Sequence, residues 1–164
     1  MTDIVDAAAR SSLMARIGHA DTKPELVVRT WLHCKGFRFR LHDPRLPGRP
    51  DLVLPKHKVC IFVNGCFWHH HPGCMHARIP ATQTGFWLEK FARNSARDAL
   101  VQSELARLGW RVVVIWECGI RDQREPDLDW LKDAILNQNE GTVVWPATPR
   151  RKLNAGAPRT TGTC

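Results

Sequence analysis

Nine consecutive residues, Cys66-Phe67-Trp68-His69-His70-His71-Pro72-Gly73-Cys74, constrain the fold more than any other stretch of this chain. Two thiols, three imidazoles and two large rings crowd into a segment that Pro72-Gly73 turns back on itself. The run directly follows an apolar, strand-like stretch, Val59 to Val63. Sulfur and imidazole at this spacing suit zinc, which takes a closed tetrahedral set of N and S ligands. Cys66 and Cys74 flank the turn, and a four-ligand site needs two more groups. His71 and Cys118 are the choice, because Cys118 ends a strand expected in the same sheet as Val59 to Val63. Cys60 and Cys34 fall inside regular elements and read as small core residues. The bland alternative is a cluster of free thiols with solvated histidines.

Three histidines cannot all bind a zinc that already holds three cysteines. The leftover imidazoles sit close to Asp51, and a histidine of near-neutral pKa beside a phosphate is a natural general base.

Charge points to the class of partner. The chain has a net charge of +8 and a pI near 9.6. Arg150, Arg151, Lys152 and Arg159 supply four of these positives, which leaves the body at +4. A basic body with a basic tail suits a polyanion. Trp68 and Trp87 stand in polar, basic surroundings, where rings suit stacking on nucleobases better than a core. Met1 to Arg10 lacks an apolar core, so no signal peptide is expected, and no window approaches a membrane span. The six cysteines therefore read as metal ligands or free thiols of a cytoplasmic protein.

Along the chain, Ser11 to Arg16 is a short basic helix candidate, suited to an arm that orders on a partner. Thr22-Lys23-Pro24-Glu25 is a capping box with proline in the first turn. It predicts a helix to about Lys35, stopped by Gly36, with Leu26, Val27, Trp31 and Cys34 at helical spacing. Phe37 to Leu41 alternates like a half-buried strand, and Pro44 to Pro50 is a loop. Asp51 to Leu54 and Val59 to Val63 form a hairpin. A turn centred on His57 sets Asp51 opposite Val63, with Cβ atoms about 5 Å apart; a shift of one sets it opposite Phe62. Residues 64–84 are irregular.

Gly85 to Leu108 predicts a long helix ended by Gly109, with Leu88, Phe91, Val101, Leu105 and Leu108 on its buried side. Lys90, Arg93, Asn94 and Arg97 form a basic stripe. Arg111 to Trp116 is a strand, and Asp127 to Gln138 a last helix. From Trp145 the chain turns rich in Pro, Thr and Arg and is expected to be disordered. The organisation is thus an arm at 1–20, a domain at 21–145 and a basic tail at 146–164.

The motifs Leu46-Pro47-Gly48-Arg49-Pro50-Asp51, Asn64-Gly65-Cys66-Phe67-Trp68-His69, Phe86-Trp87-Leu88-Glu89-Lys90, Gly109-Trp110-Arg111-Val112 and Trp116-Glu117-Cys118 follow one another in order. Together they resemble the very-short-patch-repair (Vsr) DNA mismatch endonucleases, over about Ser11 to Asp122. The resemblance implies an α/β, restriction-endonuclease-like fold: a mixed central sheet flanked by helices, with structural zinc. It implies a monomer that nicks duplex DNA 5′ of the thymine in a T·G mismatch, the product of 5-methylcytosine deamination, alongside mismatch-repair accessory proteins and away from membranes.

By the same resemblance Asp51 and the Val63 carbonyl bind Mg²⁺, His69 is the general base and Glu25 supports the site. Phe67, Trp68 and Trp87 wedge into the base stack beside the mismatch, and Met14 enters from the opposite groove. Lys90 and Asn94 contact the mismatch region, and Cys66, His71, Cys74 and Cys118 bind Zn²⁺. The chain departs from the family at Asn64, where some members carry histidine. One extra residue in the knot lets His70 compete with His71, and no Glu-x-Lys follows Pro50-Asp51. Two rival readings are a non-catalytic zinc-stabilised DNA-binding module and a zinc-dependent hydrolase using the histidine cluster.

Overall fold

The computed structural model describes residues 20–121, 123–137 and 141–149. The Ser11 to Arg16 arm helix, Met14 and the tail beyond residue 149 lie outside them.

The capping box starts helix α1 (Lys23–Cys34) as its residues dictate. Thr22 Oγ1 accepts from the Glu25 N–H at 3.4 Å, and the Glu25 carboxylate reaches back to the Asp21 N–H at 3.1 Å. Gly36 ends the helix with φ +79°. The buried face is Glu25, Val28 and Leu32, with Val27 and Trp31 half-buried. Leu26 and Cys34, expected on the inner stripe, are exposed. The helix is turned so that Glu25 points inward with the apolar residues.

A five-stranded sheet follows: β1 (Arg40–Leu41), β2 (Leu52–Leu54), β3 (Val59–Asn64), β4 (Arg111–Trp116) and β5 (Thr142–Trp145), hydrogen-bonded in that order. β1, β2 and β3 pair antiparallel, while β4 and β5 continue parallel to β3. The long helix α2 (Thr84–Arg107) makes the β3-to-β4 crossover. β1 is only two residues long, so the strand expected over Phe37 to Leu41 is mostly loop.

The hairpin takes the second of the two registers. Its turn is a 3₁₀ segment, Pro55–His57, closed by Lys58 at φ +53°, and Leu54 pairs with Val59, Val53 with Cys60 and Leu52 with Ile61. Continued by one residue, this brings Asp51 level with Phe62 rather than Val63.

Alternation sorts the strand residues onto two faces. Leu52, Leu54, Val59, Ile61, Val113 and Ile115 face α1 and two helices that follow β4, α3 (Cys118–Arg121) and α4 (Asp129–Leu136). Val53, Cys60, Val112 and Val114 face Leu105 and Val101 of α2. Helices thus cover both faces, and so β3 and β4 read as continuous apolar runs. Each fully buried Leu or Ile contributes about 1.5–3 kcal/mol. On α2 the inner residues are Trp87, Phe91 and Leu105, whereas Leu88 and Leu108 are exposed. Gly48, at φ +69°, lies where any Cβ would run into Val101. Glycine there lets the Pro44–Pro50 loop dock on the helix.

The C-terminal part differs from expectation. The last helix is shorter than Asp127 to Gln138, and β5, absent from the sequence reading, ends at Trp145. Trp145 stacks on Trp130 at 5.2 Å and lies where a Cβ on Gly119 would collide. Arg111 fastens this region. Its guanidinium donates to the carbonyls of Ala134 (2.9 Å), Ile135 (2.7 Å) and Asn137 at the end of α4, and of His57 (3.1 Å) in the hairpin turn. Helix-terminal carbonyls that lack intrahelical partners are satisfied this way.

Candidate active site and metal centre

Register creates the metal centre. Asn64 pairs with Trp116 at the ends of parallel β3 and β4, so Cys66 and Cys118 each lie two residues past a matched pair. The knot then closes by short turns: the His71 N–H donates to the Cys66 carbonyl at 2.9 Å, and the Cys74 N–H to the His71 carbonyl at 3.2 Å. Gly73, at φ +70°, makes the reversal. The ligand atoms of Cys66, His71, Cys74 and Cys118 all lie within 4.8 Å of one another, and all four residues are buried.

His71 Nδ1 is 3.6 Å from Cys66 Sγ and 3.5 Å from Cys118 Sγ. Three sulfurs and one nitrogen converging in a dry pocket fit zinc. Burial pushes the Cys66 thiol up and the His71 imidazole down. His70 does not join it: its ring stacks on Phe91 at 4.8 Å, and its buried Nδ1 has no hydrogen-bond partner among the described residues. Trp116 lies flat on His71, with centroids 4.1 Å apart. The Cys66 N–H donates to Glu117 Oε2 at 3.1 Å. Both groups orient ligands in the way outer-shell partners do.

Across the sheet end from this centre lies a polar cluster built on Asp51. The Val63 N–H donates to Asp51 Oδ2 at 2.7 Å. Asp51 and Val63 are therefore adjacent although the ladder is shifted, because the side chain reaches diagonally past Phe62. Burial is the main cause raising the Asp51 carboxyl to about 6. The Val63 hydrogen bond opposes it, the Glu25 charge adds to it, and His42 and His69 pull it back down. Glu25 is 2% exposed. His42, which the sequence reading passed over, bridges the two acids: its Nδ1 is 3.7 Å from Asp51 Oδ1 and its Nε2 3.9 Å from Glu25 Oε2. The Asp51 carboxylate and the main-chain carbonyl of Val63 are hard oxygen donors of the kind that fit Mg²⁺, with the buried Glu25 carboxylate across His42 from Asp51.

His69 is held from α2. Its Nδ1 is 2.6 Å from Asp98 Oδ2. One helical turn earlier, Asn94 Nδ2 donates to the Trp68 carbonyl at 2.9 Å. Two residues four apart on one helix thus clamp two consecutive residues of the knot. The i, i+4 spacing of Asn94 and Asp98 was in the sequence, but nothing there said which loop they would meet.

The basic stripe is not uniform. Arg93 and Arg97 are exposed, Asn94 turns inward, and Lys90 Nζ lies over Trp87 (5.3 Å), Trp68 (5.5 Å) and Phe86 (5.8 Å). The aromatic rings form one group: Phe67 meets Trp68, Trp87 and Phe91 edge-on at 5.1–5.3 Å. Phe67 and Trp68 are half-buried at its outer side. Trp87 is 6% exposed, so the expectation that it stands outside the core is corrected. Its indole is the floor on which the other two rings rest.

Comparison with known proteins agrees with the order of motifs. Residues 2–75 match the family model described as DNA mismatch endonuclease Vsr. The chain is 45% identical over 125 residues to the DNA mismatch endonuclease Vsr of Escherichia coli strain K12, covering 76% of this chain and 80% of that protein. It is 44% identical over 123 residues to the type II nicking enzyme V.NmeAIP of Neisseria meningitidis serogroup A, covering 75% and 87%. It is 43% identical over 122 residues to the type II nicking enzyme V.XorIIP of Xanthomonas oryzae pv. oryzae, covering 74% and 89%.

Proposed function

The chain belongs to the Vsr family of DNA mismatch endonucleases and is an endodeoxyribonuclease; on that premise we propose that it nicks duplex DNA 5′ of the thymine in a T·G mismatch, with Mg²⁺ as its catalytic ion. The observation that carries the reading is that Asp51, held by the Val63 N–H, lies within electrostatic reach of His69, which is itself paired with Asp98. The five-stranded mixed sheet with helices on both faces supports a restriction-endonuclease-like fold. Within it, residues 21–145 are the catalytic domain, 1–20 a DNA-contacting arm that includes Met14, and 146–164 a basic tail. No helix among the described residues is long and apolar enough to cross a membrane. We read the protein as a cytoplasmic monomer open to mismatch-repair partners.

In this mechanism Asp51 and the Val63 carbonyl would hold Mg²⁺, and the ion's charge would supply electrophilic stabilisation to a phosphate bound there. Asp98 accepts the Nδ1 proton of His69, which leaves Nε2 with a free lone pair. That lone pair takes a proton from the attacking water as the water oxygen bonds to phosphorus, while the bond to the 3′ oxygen breaks and that oxygen takes a proton from solvent. The products are a 3′-hydroxyl and a 5′-phosphate. Glu25 lies behind Asp51 and supports it. Cys66, His71, Cys74 and Cys118 hold a zinc that is structural, because four protein donors leave no open position.

Phe67 and Trp68 enter the base stack beside the mismatch, resting on Trp87. Unstacking costs a few kcal/mol per step, least where pairing is already weak. Lys90 and Asn94 stand beside this wedge, toward the mismatched pair. The test is a nicking assay on T·G, T·A and C·G duplexes with varied flanks, with and without Mg²⁺. Cleavage restricted to the thymine strand of T·G, and only with Mg²⁺, is expected. Equal nicking of the matched duplexes would defeat the mismatch reading.

A further inference from the structure

Arg29 touches three groups that the sheet end gathers behind Asp51. Its Nη1 donates to Asp21 Oδ1, and its Nη2 lies 2.9 Å from Glu25 Oε2 and 3.2 Å from His42 Nε2. Asp21, Glu25 and His42 alone have the spacing of a cation site, with ligand atoms within 4.8 Å of one another. The guanidinium already fills the place a cation would take. It does so at a cost, since its Nε is buried without a hydrogen-bond partner among the described residues.

The chemistry of the contact fixes more than position. A guanidinium has only donors. His42 Nε2 must therefore accept, and the ring proton of the neutral imidazole is forced onto Nδ1. Nδ1 is the atom that faces Asp51 Oδ1, at 3.7 Å. The backbone anchors the same residue, because the His42 N–H donates to the Asp51 carbonyl at 3.3 Å. His42 has φ +46°, a left-handed conformation that a β-carbon disfavours.

We infer that Arg29 and His42 are positioning residues for the catalytic carboxylate: the guanidinium locks the His42 tautomer, and the Nδ1–H it creates turns its dipole toward Asp51 Oδ1 across 3.7 Å while the Val63 N–H hydrogen-bonds Oδ2. By filling the Asp21–Glu25–His42 pocket, Arg29 also keeps those ligands from drawing Mg²⁺ away from Asp51. This inference rests on the assignment of Asp51 proposed above.

Two readouts test it separately from that assignment. Nitrogen NMR of the ¹⁵N-histidine-labelled full chain without Mg²⁺, at a pH where the ring is neutral, reads the His42 tautomer directly. The Nδ1–H form is expected in the wild type and in Arg29→Lys, and the Nε2–H form common in unconstrained histidine side chains in Arg29→Ala. Calorimetric titration of Mg²⁺ into the same proteins should give about 10- to 100-fold weaker binding for Arg29→Ala, with Arg29→Lys recovering most of it. Nicking should fall through kcat rather than KM. A wild-type His42 protonated at Nε2 overturns the inference whatever the variants do. So does unchanged Mg²⁺ affinity in a folded Arg29→Ala chain. A wild type that holds the Nδ1–H tautomer but never nicks DNA would instead defeat the proposed function and leave the relay standing.

Discussion

The Val63 N–H donates to Asp51 Oδ2 at 2.7 Å across a ladder whose register leaves the two residues one step apart. One side chain thereby spans the hairpin diagonally. Its second oxygen stays turned to the polar cluster, and the Val63 carbonyl lies on the same stretch of strand. The carboxylate is fixed by backbone, and backbone geometry survives most side-chain changes nearby.

Asp51→Asn should abolish nicking and leave T·G duplex binding nearly intact. It should also stabilise the chain in Mg²⁺-free buffer. The Asp51 carboxyl is raised from 3.8 to about 6, so the folded state binds the extra proton between those values. Its stability is fullest below about pH 4 and is lost as pH rises through 6, by up to about 3 kcal/mol. The neutral amide avoids that loss. The variant's advantage in melting temperature should appear between pH 4 and 6 and persist above. Equal melting at pH 8, or full activity in the variant, would contradict the assignment.

Asp98→Asn should lower nicking by about 10²-fold or more, the usual scale of a general base losing its function. The amide can present its N–H₂ to His69 and favour the wrong tautomer. Duplex binding should change little, because the Asp98 carboxylate is engaged by His69 Nδ1. A variant with normal single-turnover cleavage would remove His69 from the base role.

Purified protein should carry one tightly held zinc per chain through mild chelation. Cys118→Ser should lower both zinc content and melting temperature, since it removes one of four donors that join the knot to the end of β4. Elemental analysis is the check. A zinc-free wild type with full stability would mean that the cluster holds thiols only.

Trp68→Ala and Trp87→Ala should separate reading from support. Trp68 is half-buried at the outside of the ring group, and stacking on a base is worth roughly 1–3 kcal/mol. Its loss should lower mismatch binding and nicking by about one to two orders of magnitude, with little change in melting. Trp87 is 6% exposed, and truncating a core tryptophan costs about 3–5 kcal/mol of stability. Thermal melts and binding curves on both variants distinguish the roles. A Trp68→Ala chain that melts far lower yet nicks normally when folded would make Trp68 a core residue.

Local signals were sufficient wherever one segment settled its own structure. Thr22 to Glu25 began α1, Gly36 and Gly109 followed the ends of α1 and α2, and the apolar runs became β2, β3 and β4. The four residues chosen for the metal centre converge, because flanking strands of equal length carry Cys66 and Cys118 to the same level. Composition could not reveal β5, whose four residues are mostly exposed and gain their place by pairing with β4.

Nor could periodicity tell that α1 turns Glu25 inward instead of Leu26, or that Trp87 is covered. Those outcomes depend on which neighbour each face meets. His42, Arg29 and Asp98 were invisible for the same reason: each matters through a partner 8 to 29 residues away, Asp21 and His42 for Arg29, Asp51 for His42 and His69 for Asp98. Ligand types and element boundaries are short-range properties of the chain. The orientation of a carboxylate and the tautomer of a histidine are decided by contacts that exist only once the sheet has brought distant segments together.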